Sequence, residues 1–172
     1  MKKIVILGST GAIGSSLLNI IKKNKSKFKI ELLTANKNYK KLIKQLAIFK
    51  VKNIIITDEK AYIKIKKILK KTNVNVYQNF DSIKKIFKNT KIDYVMSAIS
   101  GFEGLKPTLD IIEFTKTIAI ANKESIICGW NLINKKINKH KTKFIPVDSE
   151  HFSIWSLTKN VKNKNIEKIY IT

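Results

Sequence analysis

The first apolar strand of the chain runs directly into a glycine-rich loop and then a helix: Ile4-Val5-Ile6-Leu7-Gly8-Ser9-Thr10-Gly11-Ala12-Ile13-Gly14. Strand, tight turn and helix start in this order are the setting in which a glycine pattern predicts dinucleotide binding. Gly8 would permit the turn, Gly11 would let the backbone approach a pyrophosphate, and Gly14 would let the helix pack closely on the strand. Free N–H groups at the helix start would then bind phosphate. The spacing departs from G-x-G-x-x-G because Thr10 holds the middle position, so a glycine turn without a ligand is the alternative.

Short apolar runs alternate with stretches of helical spacing along the chain. The predicted strands are Ile4–Leu7, Lys29–Thr34, Asn53–Thr57, Asn75–Tyr77, Tyr94–Ala98, Thr117–Ile120 and Phe144–Val147. The predicted helices are Ile13–Lys23, Tyr39–Phe49, Glu59–Lys71, Ser82–Phe87, Leu105–Phe114 and Ser125–Lys139. Continuously apolar strands are typical of a parallel sheet buried on both faces. The alternation therefore predicts a Rossmann-like, doubly wound α/β sheet.

The pattern changes after Pro146. A helix from about His151 to Lys159 leads to a last predicted strand, Glu167–Ile171, and the sequence stops at Thr172. We therefore predict one domain over residues 1–145. Residues 146–172 would begin a second, α+β domain that is cut short.

The composition indicates the class of protein and its compartment. The formal charge is +23, but all the basic residues are lysines, and they are spread over nearly every predicted element. Arginine is the residue that reads bases and phosphates bidentately, so nucleic-acid binding is disfavoured. Lysine, isoleucine and asparagine have AT-rich codons, and an AT-rich bacterial genome would explain the charge. No apolar run is long enough to span a bilayer and no room is left for a leader peptide, so we expect a cytoplasmic protein.

A polar cluster follows the second predicted strand, at Ala35-Asn36-Lys37-Asn38. A site that prefers NAD would place an acidic residue there to accept the ribose 2′-hydroxyl. The cluster has no acid, and Lys37 could meet a 2′-phosphate instead, which favours NADP. The alternative is that Lys37 is a solvated surface lysine.

Two further clusters follow later strands, Ala121-Asn122-Lys123-Glu124-Ser125 and Pro146-Val147-Asp148-Ser149-Glu150-His151. The first falls at the carboxyl end of a central strand, where open α/β sheets place their ligands, although it could be only a helix N-cap. In the second, Asp148 and Glu150 would project to the same side if the backbone were extended. Their carboxylates would then suit Mg²⁺ or Mn²⁺. The alternative is a helix start with Ser149 as its cap.

The order of these motifs resembles that of a known enzyme family. With GSTGAIG at 8–14, NKN at 36–38, ANKES at 121–125 and PVDSEH at 146–151, the chain resembles the 1-deoxy-D-xylulose 5-phosphate reductoisomerases. The resemblance implies an oxidoreductase and isomerase of the non-mevalonate isoprenoid pathway. It would convert 1-deoxy-D-xylulose 5-phosphate to 2-C-methyl-D-erythritol 4-phosphate with NADPH and Mn²⁺ or Mg²⁺, with Co²⁺ as a further option. It also implies a homodimer at full length, a phosphorylated sugar as substrate, and neither nucleic acid nor membrane as a partner.

The resemblance also implies a role for each matching residue. The cofactor-binding residues would be Thr10, Gly11, Ala12, Ile13, Asn36, Lys37, Asn38, Asn122 and Glu124. Asp148 and Glu150 would ligate the metal, and Lys123, Ser149 and Glu150 would bind substrate. Lys123, Asp148 and Glu150 would be the catalytic residues.

The chain departs from the family pattern in a few places. Asn36 replaces a common glycine and Ala12 a common serine, at sites that contribute mainly backbone. The third metal carboxylate, the lid, the substrate-phosphate residues and the C-terminal helical domain of the family would lie beyond Thr172. We therefore expect this chain to bind NADPH without turning over substrate.

Rival functions find weaker support. A short-chain dehydrogenase needs a Tyr-x-x-x-Lys pair beside the nicotinamide, and Tyr62 and Lys66 have that spacing but lie too early in the chain. A thioester-forming aldehyde dehydrogenase needs a nucleophilic cysteine. The single cysteine, Cys128, lies in an apolar run and is predicted to be a small buried hydrophobe. One cysteine also excludes an internal disulfide. A non-catalytic NADP-binding module remains open.

Overall fold

The computed structural model describes residues 1–161 and 165–170. The strands are β1 (Lys2–Leu7), β2 (Phe28–Ala35), β3 (Asn53–Ile56), β4 (Asn75–Tyr77), β5 (Ile92–Ser97), β6 (Thr115–Ile120) and β7 (Lys143–Pro146). The helices are α1 (Ala12–Lys23), α2 (Tyr39–Ile48), α3 (Glu59–Ile68), α4 (Ser82–Phe87), α5 (Leu105–Ile112), α6 (Lys123–His140) and α7 (Ser149–Thr158). Two short 3-10 turns, Lys25–Lys27 and Phe102–Gly104, precede β2 and α5.

The strands form one seven-stranded sheet in the order β4-β3-β2-β1-β5-β6-β7, and every adjacent pair is parallel. The chain builds outward from β1 to β4 and then crosses back to place β5 on the other side of β1. The strand order therefore reverses between β1 and β5, and a crevice opens at such a point beyond the carboxyl ends of the strands. The predicted doubly wound α/β sheet is confirmed.

The sheet is covered on both faces, which explains why its strands are apolar throughout. In β1, Ile4 and Ile6 belong to the cluster under α1, α2 and α3, whereas Val5 and Leu7 belong to the cluster under α4, α5 and α6. Successive side chains alternate between faces, so both faces of a central strand must be apolar. Full burial of each such side chain contributes about 1.5–3 kcal/mol.

Two predictions about the core and the strands are wrong in the described residues. Cys128 is exposed, because the buried positions of α6 are Ser125, Gly129, Ile133 and Ile137, and Cys128 lies outside that stripe. Residues 167–170 form no strand, since no strand of the sheet pairs with them, and Ile171 lies outside the described residues. The other strands and helices appear where the sequence predicts them, with ends that shift by a few residues.

Within the described residues, no helix is long and apolar enough to cross a membrane.

Candidate functional site

The polar clusters gather at one edge of the sheet. The glycine loop follows β1, residues 36–38 follow β2, residues 121–125 follow β6, and residues 147–151 follow β7. All seven strands are parallel, so these segments meet at the carboxyl edge, around the crevice between β1 and β5.

Gly8 and Gly14 have the structural roles that the sequence predicts for them. Gly8 has φ +82°, and a Cβ there would lie 2.6 Å from the carbonyl oxygen of Ala98. A Cβ on Gly14 would collide with the carbonyl oxygen of Gly8, so only glycine lets α1 approach the loop this closely. At Gly11 a Cβ would be in ordinary contact, 3.4 Å from the same oxygen. The loop thus forms a tight turn with the start of α1 directly behind it.

The N-terminus of α1 is suited to an anion. Its N-cap is Gly11, without a side-chain cap, and its first turn has no acidic residue. A side chain caps each of α2, α3, α6 and α7, whereas α4 and α5 also begin without one. The first N–H groups of a helix have no partner within the helix and carry a positive partial charge, so they attract phosphate.

Two adjoining clefts extend from this loop. One, about 290 Å³, has Thr10 and Gly11 on one side and Asn36 on the other. The second, about 250 Å³, is lined by Ile13 and by residues 121–124. Residues 98–100 line both, so the pair forms one path across the crevice. A larger cavity of about 620 Å³ lies at the opposite, amino-terminal edge of the sheet and contains none of the clustered residues.

The three residues after β2 have different environments. The Asn36 amide donates to the Thr57 hydroxyl (2.8 Å), and the Asn38 side chain caps α2 by accepting the Lys41 N–H (3.0 Å). Lys37 is exposed, and no carboxylate of the described residues forms an ion pair with it. This exposed cation follows the cleft residue Asn36 in the chain and is available to a ligand phosphate.

Asn122 has a structural role that sequence reasoning only partly anticipates. The side chain is buried; its oxygen accepts the Ser125 N–H (2.7 Å) as the cap of α6. Its amide nitrogen donates to the carbonyls of Ile99 and Gly101. The cap is recognisable in the sequence, but the two bonds to the loop after β5 are not, because they join residues more than twenty positions apart. Asn122 thus ties α6 to the loop that lines both clefts.

The segment after β7 begins a helix, and the same-side extended geometry of Asp148 and Glu150 is not found. Asp148, rather than Ser149, is the N-cap of α7, and Glu150 lies in the first turn. A carboxylate at an N-cap accepts a backbone N–H and gains from the helix dipole, and these local bonds favour the helix start over extended backbone.

Half of the Asp148 carboxylate remains free for a ligand. Oδ1 accepts the His151 N–H (2.9 Å) and lies 2.6 Å from His151 Nδ1. Oδ2 is buried and has no hydrogen-bond partner in the described residues. A buried carboxylate oxygen without a partner is costly, and a bound cation is one way to satisfy it.

Glu150 lies beside Lys123, which brings together the ends of β6 and β7. Lys123 Nζ is 3.3 Å from Glu150 Oε2, and the Ser149 hydroxyl donates to the same oxygen (2.8 Å). The hydrogen bond from Ser149, the backbone N–H of Glu150 and the Lys123 ammonium lower the pKa of Glu150 to about 2. Glu150 is therefore a carboxylate at any neutral pH, as a metal ligand must be.

The described residues contain no group of three or more His, Cys, Asp or Glu side chains placed to hold a metal ion. The Tyr62–Lys66 pair lies on α3, where Lys66 Nζ donates to the Tyr62 hydroxyl (3.0 Å) at an exposed position. It lines neither cleft, so the short-chain dehydrogenase arrangement is absent from the described residues.

Comparisons with known proteins match the chain to one enzyme family. The sequence profile of the family described as 1-deoxy-D-xylulose 5-phosphate reductoisomerase matches residues 4–129. The reductoisomerase of Pelagibacter ubique is 69% identical over 173 residues, covering 100% of this chain and 45% of the relative. That of Wolbachia pipientis from Culex pipiens is 39% identical, covering 100% of this chain and 44% of the relative. The chain thus spans less than half the length of these relatives.

Solved structures with the same fold include the reductoisomerase of Zymomonas mobilis in complex with NADPH, with a TM-score of 0.79 and 35% identity. The match covers 87% of this chain and 39% of that one. A reductoisomerase in complex with NADPH, fosmidomycin and magnesium matches with a TM-score of 0.83 and 29% identity, over 91% of this chain and 38% of that one.

Proposed function

Because this chain belongs to the 1-deoxy-D-xylulose 5-phosphate reductoisomerase family, we propose that residues 1–145 are its NADPH-binding domain. Residues 146–172 begin the metal- and substrate-binding domain. The full-length protein would convert 1-deoxy-D-xylulose 5-phosphate to 2-C-methyl-D-erythritol 4-phosphate, and we expect it to be a homodimer. The observation that carries the cofactor proposal is the continuous cleft from Asn36 past the uncapped start of α1 to Glu124.

The residues that line this cleft, together with their neighbours in the chain, would meet the parts of NADPH in order. Asn36, Lys37 and Asn38 would contact the adenosine ribose and its 2′-phosphate. Thr10, Gly11, Ala12 and Ile13 would surround the pyrophosphate, with the N–H groups of Ala12 and Ile13 at the helix start as donors, since the Gly11 N–H already donates to the Gly8 carbonyl. Asn122 and Glu124 lie at the nicotinamide end; since the Asn122 side chain is already bonded to protein, it would act there by shaping the cleft. NADPH supplies the hydride of the reaction.

Asp148 and Glu150 would supply two of the ligands of a divalent metal site, which would need a further ligand. The unpartnered Oδ2 of Asp148 and the ionised carboxylate of Glu150 are hard oxygen donors, which Mg²⁺ and Mn²⁺ prefer. A metal held there would polarise the substrate carbonyl as a Lewis acid. Lys123, Ser149 and Glu150 form a connected group at the same edge and would bind the substrate. Because two carboxylates make a weak site, we expect no turnover from residues 1–172 alone.

The test of the cofactor assignment is a titration of the chain with NADPH and NADH, followed by cofactor fluorescence or calorimetry. We expect tighter binding of NADPH. We also expect the Lys37→Gln variant to lose about 10- to 100-fold in NADPH affinity, since a charge-assisted contact contributes about 1.5–3 kcal/mol. Its NADH affinity should be unchanged.

A matched control is needed because a chain with a charge of +23 attracts any polyanion. Lys44→Gln makes the same charge change at an exposed site on α2 that lines neither cleft. Equal losses in the Lys37→Gln and Lys44→Gln variants would show that the binding is diffuse electrostatic attraction and would contradict the assignment of Lys37.

A further inference from the structure

A glutamine is buried beneath the glycine loop. Gln45 lies on α2, and only 7% of its surface is exposed. An amide at such a position is unfavourable unless its donor and acceptor are both bonded. The bonds of Gln45 therefore show what the residue does.

Both bonds go to one residue of the loop. Gln45 Nε2 donates to the carbonyl oxygen of Ser9 (2.8 Å). The Ser9 hydroxyl lies 2.8 Å from Gln45 Oε1 and 3.1 Å from the Thr34 carbonyl oxygen, and its single proton is donated to the nearer acceptor, Oε1. The amide has only one consistent orientation, because the Ser9 carbonyl can only accept and must face the NH₂ group. Ser9 itself is completely buried.

Other contacts hold the same turn. The Ser9 N–H donates to the Thr34 carbonyl (2.8 Å), and the Gly8 N–H donates to the Thr34 hydroxyl (2.8 Å). One helical turn before Gln45, Lys41 Nζ donates to the Thr10 carbonyl (2.8 Å). The loop is thus fastened to β2 on one side and to α2 on the other.

Neither Gln45 nor Ser9 lines the cleft. They lie under the residues that do, and the start of α1 follows the loop directly. Any shift of Ser9 would therefore move Thr10 and Gly11, which line the cleft.

We infer that Gln45 is a positioning residue for the dinucleotide: it fixes Ser9 so that the loop and the start of α1 are preorganised for the pyrophosphate. The inference rests on the proposed NADPH binding. The pyrophosphate is common to NADPH and NADH, so Gln45 supports the affinity for both. It differs in this from Lys37, which would act on the 2′-phosphate alone.

The test is to measure how tightly the Gln45→Met variant of the 172-residue chain binds NADPH and NADH, each as a dissociation constant. Methionine has a similar length and no strong hydrogen-bonding group, so both bonds to Ser9 are lost. We expect both dissociation constants to rise about tenfold, as for the loss of well-made buried hydrogen bonds, with their ratio unchanged.

Thr142→Val serves as the matched control. Thr142 is also buried, and its hydroxyl contacts the carbonyls of Ile112 (3.1 Å) and Thr115 (2.9 Å) at the amino-terminal edge of the sheet. This variant should lower the unfolding midpoint and leave both dissociation constants unchanged. A Gln45→Met variant that loses no more affinity than Thr142→Val would overturn the inference.

Ser9→Ala provides a second, milder variant if Gln45→Met does not fold. It removes the hydroxyl and leaves the Ser9 carbonyl bonded, so we expect about a fivefold loss for both cofactors. Combined with Gln45→Met, it should add less than its separate effect, since the two residues share one contact. Unchanged affinity in Ser9→Ala, or full additivity, would contradict the inference. A wild-type chain that binds neither cofactor would overturn the proposed function and this inference with it.

Discussion

Asn122 offers the sharpest test of how this edge of the sheet is held together. Its buried side chain makes three bonds, accepting from the Ser125 N–H and donating to the carbonyls of Ile99 and Gly101. In the Asn122→Ala variant α6 loses its cap, which costs about 1 kcal/mol. The two carbonyls each lose a donor, at about 1 kcal/mol apiece because both residues are only half-buried and water can reach them.

The sum predicts that Asn122→Ala lowers the free energy of unfolding by about 3 kcal/mol, or the melting temperature by about 6–12 °C for a domain of this size. Urea denaturation followed by circular dichroism measures the first quantity. The Asn122→Asp variant keeps the acceptor for Ser125 but removes both donors, so it should retain the cap and still lose at least 2 kcal/mol.

The matched control is Asn138→Ala, on the same helix; among the described residues, its exposed side-chain amide bonds only to Asn134 (3.3 Å). We expect a loss of less than about 0.5 kcal/mol there. If Asn122→Ala were as mild as Asn138→Ala, the three bonds of Asn122 would contribute little to the free energy of unfolding. Since the loop of Ile99 and Gly101 borders both clefts, NADPH affinity should also fall in Asn122→Ala and stay unchanged in the control.

Three other changes test separate parts of the site. Asp148→Asn should keep the cap of α7, because asparagine is an equally good N-cap, but it should weaken Mn²⁺ binding measured by electron paramagnetic resonance. Asp148→Ala should weaken Mn²⁺ binding and also remove the cap, which lowers the free energy of unfolding by about 1 kcal/mol. In an NMR titration, Glu150 should have a pKa of about 2. Ser149→Ala should raise this pKa toward the ordinary value more than Lys123→Met does, because the hydrogen bond from Ser149 is the largest cause of the lowered pKa. A depressed carboxylate pKa means that the Lys123–Glu150 contact is complete above the ordinary pKa and is lost only as the pH falls toward 2. Gly14→Ala should abolish NADPH binding and destabilise the fold, since the added Cβ meets backbone that cannot move aside; retained affinity would contradict the close packing of α1 on the loop.

The sheet itself was predictable because each of its strands carries the same signal. A run such as Ile4–Leu7 is apolar at successive positions, as a strand covered on both faces requires, and the glycine turn that follows it limits its length. Gly8 and Gly14 were predictable for a similar reason. The steric need for glycine at a positive φ, or at close backbone contact, is local to the turn.

The errors arose where local sequence leaves more than one arrangement open. Cys128 follows two isoleucines, but which face of α6 is buried depends on how the helix rotates against the sheet, and that rotation leaves the cysteine outside. The residues from 167 onward have a strand-like composition, yet a strand needs a neighbouring strand to bond with, and none pairs with residues 167–170. At Asp148 the sequence allowed both an extended pair of carboxylates and a helix start, and the cap bond to His151 decided between them.

The sequence by itself thus determined the α/β class, the order of the elements, the glycine turn and the polar residues that end the strands, because these depend on side-chain character and on neighbours along the chain. The tertiary structure alone decided which of those residues meet. The Gln45–Ser9, Asn122–Gly101 and Lys123–Glu150 contacts join positions 21 to 36 residues apart. Parallel strands of one sheet bring such positions to a common edge, and the register between the strands sets their distances.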